Sequence, residues 1–267
     1  MSLFSRSADG SGSAGILSRP PDRRIPAGNT ATGILKIIAL AFMMIDHCGK
    51  VLCNDMPEMR ILGRAAFPIY VWCAVVGACY TRSMPKYLTR MLLVGLISQP
   101  LYNLALNHTW QQPNIFLTLV LGLCAIWGIR EKKAGSQIWA PVAAIILATV
   151  LNAVYNWRGV LLFVLLWAVR DSRSGIAAVM VAFFLFWGSS YSATSQLFGI
   201  PLRLSELPAA LSRPLTAFFR LETYALLSLP FILIPFRKDW HYPRWVGYLM
   251  YPAHLAVIIL LRKLMGV

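Results

Sequence analysis

KIIALAFMMIDHCGK, residues 36–50, lies within an apolar run (34–53) that carries Asp46 and His47 side by side and Lys50 one turn on. About 20 apolar residues are what a helix needs to cross a bilayer, and ionisable groups inside such a run are costly unless paired or hydrated. The stretch therefore predicts a membrane-crossing helix built around a functional polar cluster. The same reading extends outward to runs at 61–81, 88–106, 114–129, 138–155, 160–169, 175–191, 221–236 and 245–261. Together they predict an all-α, polytopic integral membrane bundle of about 8–10 transmembrane helices, with nine favoured.

Composition agrees with that class. Of 267 residues, 58% are hydrophobic and only 13% charged, well outside soluble globular usage. Residues 1–33 are rich in Ser, Gly and Pro, carry Arg19, Arg23 and Arg24, and lack the apolar run of a signal peptide. They read as a disordered basic cytoplasmic tail before a single transmembrane domain, 34–267. The net charge of +15 falls mostly between apolar runs, where it signals topology; no basic stripe points to nucleic acid. Basic links after runs two, four, six and eight place the N-terminus in the cytoplasm. The connection 192–220 conflicts with that scheme, because it holds Arg203, Arg213 and Arg220 on the outer side. Its Pro201, Pro208 and Pro214 suit a re-entrant or interfacial segment, and a hidden crossing there would reverse the orientation of the last two runs. Five cysteines without a CxxC pair argue against a disulfide framework or a zinc site.

On an ideal helix Asp46 is turned about 100° from His47, so the two do not form a dyad with each other. Arg64, also inside an apolar run, is the natural counter-charge for Asp46. That pairing leaves His47 free to act. In the last run Tyr248, Tyr251 and His254 form a hydrogen-bonding stripe that belongs toward the bundle interior. Ser98-Gln99-Pro100 predicts a kink with free backbone polar groups. Gln99, Asn114 and Lys50 join Tyr248 and Tyr251 as candidate substrate contacts. His108 and His241 read as solvated loop residues, and Glu222 as a carboxylate favoured at a helix N-terminus. A structural polar knot with an inert histidine is the competing reading. Without an HxxxH pair or a carboxylate cluster, the residues give no support to a metal or haem site.

LKIIALAFMMIDHCGKVL, RILGRAAFPIYVW, YLTRMLLVGLISQPLYNLAL, NIFLTLVLGL and the closing YLMYPAHLAVIILLRK together resemble the TraX family, in order from about Leu35 to Lys263, with 134–220 matching weakly. The family's best-known activity is N-acetylation of the pilin of F-type conjugative plasmids, and it is similar to a wider group of transmembrane acyltransferases. The resemblance implies a membrane acetyltransferase of the bacterial inner membrane that uses acetyl-CoA as co-substrate, needs no metal and takes a small membrane peptide or pilin as acceptor. It also implies His47 as catalytic base or transient acetyl carrier, with Asp46, Arg64 and His254 around it and Arg64 or Tyr251 at the oxyanion. Lys86, Arg90 and Lys132 are candidates for the CoA phosphates. Another acceptor, or a transporter or pilus assembly factor without chemistry, remains an alternative.

Overall fold

A computed structural model describes residues 25–53, 56–194, 196–197, 199–240 and 242–266. Helix α1, Thr32–Val51, begins where the Asp239 carboxylate accepts the Ile34 N–H at 3.1 Å, satisfying a first-turn donor. Gly33 lets the chain at Asp239 and Trp240 cross this helix start, since a Cβ there would sit 2.0 Å from the Trp240 carbonyl oxygen. The next path is interrupted. Helix α2, Pro57–Gly63, and helix α3, Ala66–Tyr80, are separated at Arg64 and Ala65, whose N–H groups bond only three residues back. Pro68 explains the break: it offers no N–H to the Arg64 carbonyl, and its ring crowds that carbonyl.

Helix α4, Met84–Leu106, starts at a Ser83 cap, continues through Pro100 and ends at Asn107 in the left-handed region. Helix α5, Ile115–Glu131, is capped by Asn114, whose Oδ1 accepts from the Phe116 N–H. Helices α6, Ser136–Val150, α7, Asn156–Ala168, and α8, Arg173–Gly188, follow through short links. Within 192–220 the chain forms a two-stranded hairpin, β1 (Gln196–Leu197) with β2 (Ile200–Pro201), a 3₁₀ turn and an amphipathic helix α9, Ala209–Phe218. A 3₁₀ stretch, Leu221–Ser228, runs into α10, Leu229–Leu233, and α11, Arg244–Met265, closes the bundle.

Helix α3 is apolar on every side and buried along most of its length, so it forms the axis around which α1, α5 and α7 pack. Trp72 on α3 is fully buried, and its indole N–H finds the Asn29 carbonyl at 2.7 Å. Residues 25–31 dock against the bundle through Ala27 to Arg170 and Asn29 to Ile232, so the packed body begins before residue 34. The expected tail otherwise lies outside the described residues.

The all-helical class is as the sequence predicts. Among the described residues two helical stretches are long and apolar enough to cross a membrane, Pro57–Tyr80 and Trp245–Met265, against the nine expected; α6, α7, α8 and 221–233 are apolar but shorter.

Candidate active site

Two buried polar constellations meet where the last two turns of α1 face the α2–α3 break and the middle of α11. In the first, Asp46 is held by two guanidinium groups, Arg60 at 2.6 Å and Arg64 at 2.7 Å. Arg64 also reaches Glu222 at 3.1 Å and the Arg60 carbonyl, so each of its three guanidinium nitrogens donates a hydrogen bond. With side chains of Asp46, Arg64 and Glu222 only 14, 11 and 7% exposed, these are buried ion pairs, whose geometry matters more than their net stabilisation. Gly63 makes the arrangement possible. A Cβ at that position would lie 2.2 Å from the Asp46 Cβ.

In the second constellation His47 Nδ1 and His254 Nε2 are 3.1 Å apart, with the rings stacked. The other nitrogen of His254, Nδ1, is buried without a hydrogen-bond partner of normal geometry among the described residues, beside the carbonyls of Met250 and Tyr251. His47, Asp46, Gly63, Phe67, Tyr102 and Tyr251 line a pocket of about 60 Å³. Tyr251 sits edge-on to His254 and lies against the Ile115 N–H at the start of α5, which keeps its hydroxyl in the pocket wall.

The candidates from sequence divide clearly. Asp46, His47, Arg64, His254 and Tyr251 come together; Tyr248 instead lines a neighbouring, larger cavity that also has Tyr251 in its wall. Lys50 turns to the 107–112 loop and donates to His108 Nε2 at 2.7 Å. His108 is therefore not simply solvated: its Nδ1–H also bonds Gln112, and its ring stacks on Tyr102. Partial burial lowers the His108 pKa and the Lys50 ammonium adds to this, against an opposing contribution from Gln112. Gln99 and Asn114 do not face the pocket. Gln99 accepts the Asn114 N–H and donates to Asn103 and to the Gln112 carbonyl, while Asn114 donates to the Gly95 carbonyl, so both tie α4 to the start of α5. Lys86 and Arg90 are exposed at the start of α4, Lys132 is exposed beyond the end of α5, and none of the three lines either cavity. His241 lies outside the described residues.

Arg60 and Glu222 join the site although the sequence alone does not single them out for it. Arg60 sits one turn before Arg64 on the same face, a signal hidden when its segment is read as a link. Glu222 stands in the first turn of the 3₁₀ stretch Leu221–Ser228, at a helix start as expected, and its carboxylate also pairs with Arg64. Three cations, Arg60, Arg64 and Lys50, thus surround the His47 region against two carboxylates, Asp46 and Glu222. The local excess of positive charge suits a reaction that develops negative charge.

Comparison with known proteins agrees with the motifs. A family model described as TraX protein matches residues 31–262. A protein of Dichelobacter nodosus named "Probable fimbrial assembly protein FimC, serogroup H1" is 26% identical over 252 residues, covering 84% of this chain and 92% of that protein. Rickettsia prowazekii (strain Madrid E) protein RP591 is 35% identical over 99 residues, 37% of this chain and 38% of its own length. No solved structure matches. With the family model spanning nearly the whole described body, the chain belongs to the TraX family.

Proposed function

We propose that the protein is a polytopic membrane acetyltransferase of the bacterial inner membrane that moves acetyl from acetyl-CoA to the N-terminal amine of a small membrane peptide such as a pilin. The observation that carries the chemistry is the His47–His254 pair opening on a pocket beside the Arg60–Asp46–Arg64 cluster. Family membership and the fimbrial-assembly name of one relative support a role connected with pili or conjugation.

The membrane reading is supported by apolar faces turned outward, such as Leu92, Leu93, Leu96 and Ile97 on α4 and Ile138, Val142, Ile146 and Val150 on α6. Such contiguous exposed surface suits a lipid environment. Helix α1 is long enough to cross, and its charges include Asp46 and Lys50, the site's own residues.

In the proposed step His254 Nε2 accepts the His47 Nδ1–H, leaving His47 Nε2 as the base. The acceptor amine attacks the thioester carbonyl, a C–N bond forms, and His47 takes the proton the nitrogen loses. The Tyr251 hydroxyl donates to the oxyanion, and the Asp46–Arg64 pair acts indirectly by fixing the end of α1. Collapse breaks the C–S bond, and the proton passes from His47 to the departing CoA thiolate, which restores the neutral base.

The test is the intact mass of a pilin peptide after incubation with purified protein and acetyl-CoA. Acetylation at the N-terminus that is lost in His47→Ala supports the reading; equal acetylation by the variant refutes the role of His47. A non-enzymatic assembly factor, the reading suggested by the relative's name, predicts no mass change with either protein.

A further inference from the structure

The pocket at His47 shares Tyr70, Ile115 and Tyr251 with a second cavity of about 600 Å³, ten times its size. The two lie in series along the helix axes. The large chamber is walled by the start of α1 at Gly33 and Lys36, the start of α4 at Tyr87 and the start of α11 at Gly247 and Tyr248; the small pocket is walled by the end of α1 at Asp46 and His47 and the end of α4 at Tyr102. From Lys36 to His47 is eleven residues of α1, a rise of about 16 Å.

That length decides the class of occupant. An acetyl group spans only a few ångströms, so a donor recognised at the Lys36 end must present its reactive carbon on a long, thin arm. The walls suit such an arm: the phenols of Tyr70, Tyr87, Tyr242 and Tyr248 are interleaved with apolar Ala74 and Leu119, matching a chain that alternates amides with methylenes. At the outer end Lys36 lines the opening, Arg237 and Lys238 precede Asp239 in the lining link, and the Trp240 ring is 62% exposed. Cations and an open aromatic face are what phosphates and a nucleotide base bind.

We infer that this chamber holds the amide-bearing arm of a CoA thioester, with its nucleotide end at Lys36 and Trp240, and that Tyr70, Ile115 and Tyr251 form the aperture through which the thioester meets His47. The inference rests on the acetyl-CoA reading and adds the place and direction of donor entry. It moves the nucleotide end of the donor from Lys86, Arg90 and Lys132 to the Lys36–Trp240 mouth.

The experiment compares wild type with Trp240→Ala, which alters an exposed side chain, and Met91→Trp, which fills the chamber wall. Calorimetric titration with free CoA is run beside initial rates with acetyl-CoA and with the truncated thioester S-acetyl-N-acetylcysteamine, which lacks the nucleotide. Trp240→Ala is expected to weaken CoA binding and raise the acetyl-CoA KM about tenfold, the size of a lost base stack, with no change for the truncated donor. Met91→Trp should weaken the use of both donors while the acceptor KM stays put. Wild-type CoA affinity in both variants overturns the inference and leaves the acetyltransferase reading intact. CoA binding that is sensitive to both variants, without acetyl transfer in wild type, does the reverse. Neither binding nor transfer overturns both.

Discussion

Gly63→Ala tests the packing on which the whole site depends. The added Cβ would lie 2.2 Å from the Asp46 Cβ and 2.5 Å from its Oδ1, whereas ordinary contact begins near 3.4 Å. The α2 end must therefore retreat from α1 by about 1.2 Å. A retreat of that size carries the 2.7 Å Arg64–Asp46 contact beyond hydrogen-bonding distance. Overpacking of this kind costs about 1–3 kcal/mol, which for a chain of this size lowers Tm by about 2–12 °C. His47 adjoins Asp46 on the same helix, and a 1 Å displacement of a reacting group costs about 10²-fold in rate. Thermal unfolding of the detergent-purified variant and its acetyl-CoA turnover read both effects. Wild-type Tm together with wild-type rate would refute the α1–α2 contact and the positioning argument built on it.

Three further outcomes are expected. Arg64→Met strands the buried Glu222 carboxylate and leaves Asp46 with Arg60 alone, and should destabilise the protein by about 3–5 kcal/mol, with part recovered by adding Glu222→Gln; an unchanged melt in the single variant contradicts the ion-pair network. His254→Asn should lower kcat with little change in the acetyl-CoA KM and should shift the acid limb of the pH–rate profile, because His254 orients His47 without touching substrate; a pure KM effect contradicts that role. The His108 pKa lies below its ordinary 6.5 in the folded protein, so the unfolded chain takes up the proton first. Its contribution is whole above pH 6.5 and lost as pH falls, when the Lys50 hydrogen bond gives way to repulsion. Relative to the intrinsic, base-catalysed exchange rate at each pH, protection of the amides at 107–112 should fall on acidification in wild type and stay flat in His108→Gln, and equal pH dependence in both refutes the assignment.

The part of the site legible in the sequence came from the cost of putting charge in apolar runs. That cost singled out Asp46, His47 and Arg64 and chose Arg64 as the partner of Asp46, because each needed compensation that its own helix did not offer. Apolar runs likewise located most of the helices, although the run at 221–236 is mostly 3₁₀ and α2 starts in an expected link, while other ends shifted where caps decide them: Ser83 starts α4 four residues early, and α7 begins within the link expected at 156–159. Tertiary geometry was not legible. His47 and His254 are 207 positions apart, and nothing local in either run says that the rings stack. Arg60 was hidden because the break that separates α2 from α3 comes from Pro68, several residues downstream. Gln99 and Asn114 had the chemistry of substrate contacts but are consumed at the α5 cap.

The most direct measurement is acetyl-CoA-dependent thiol release by the purified protein, for wild type and His47→Ala, with a pilin peptide present and absent. The account predicts release that requires both His47 and the peptide. Release by His47→Ala at the wild-type rate, or none from wild type with the peptide present, would contradict it.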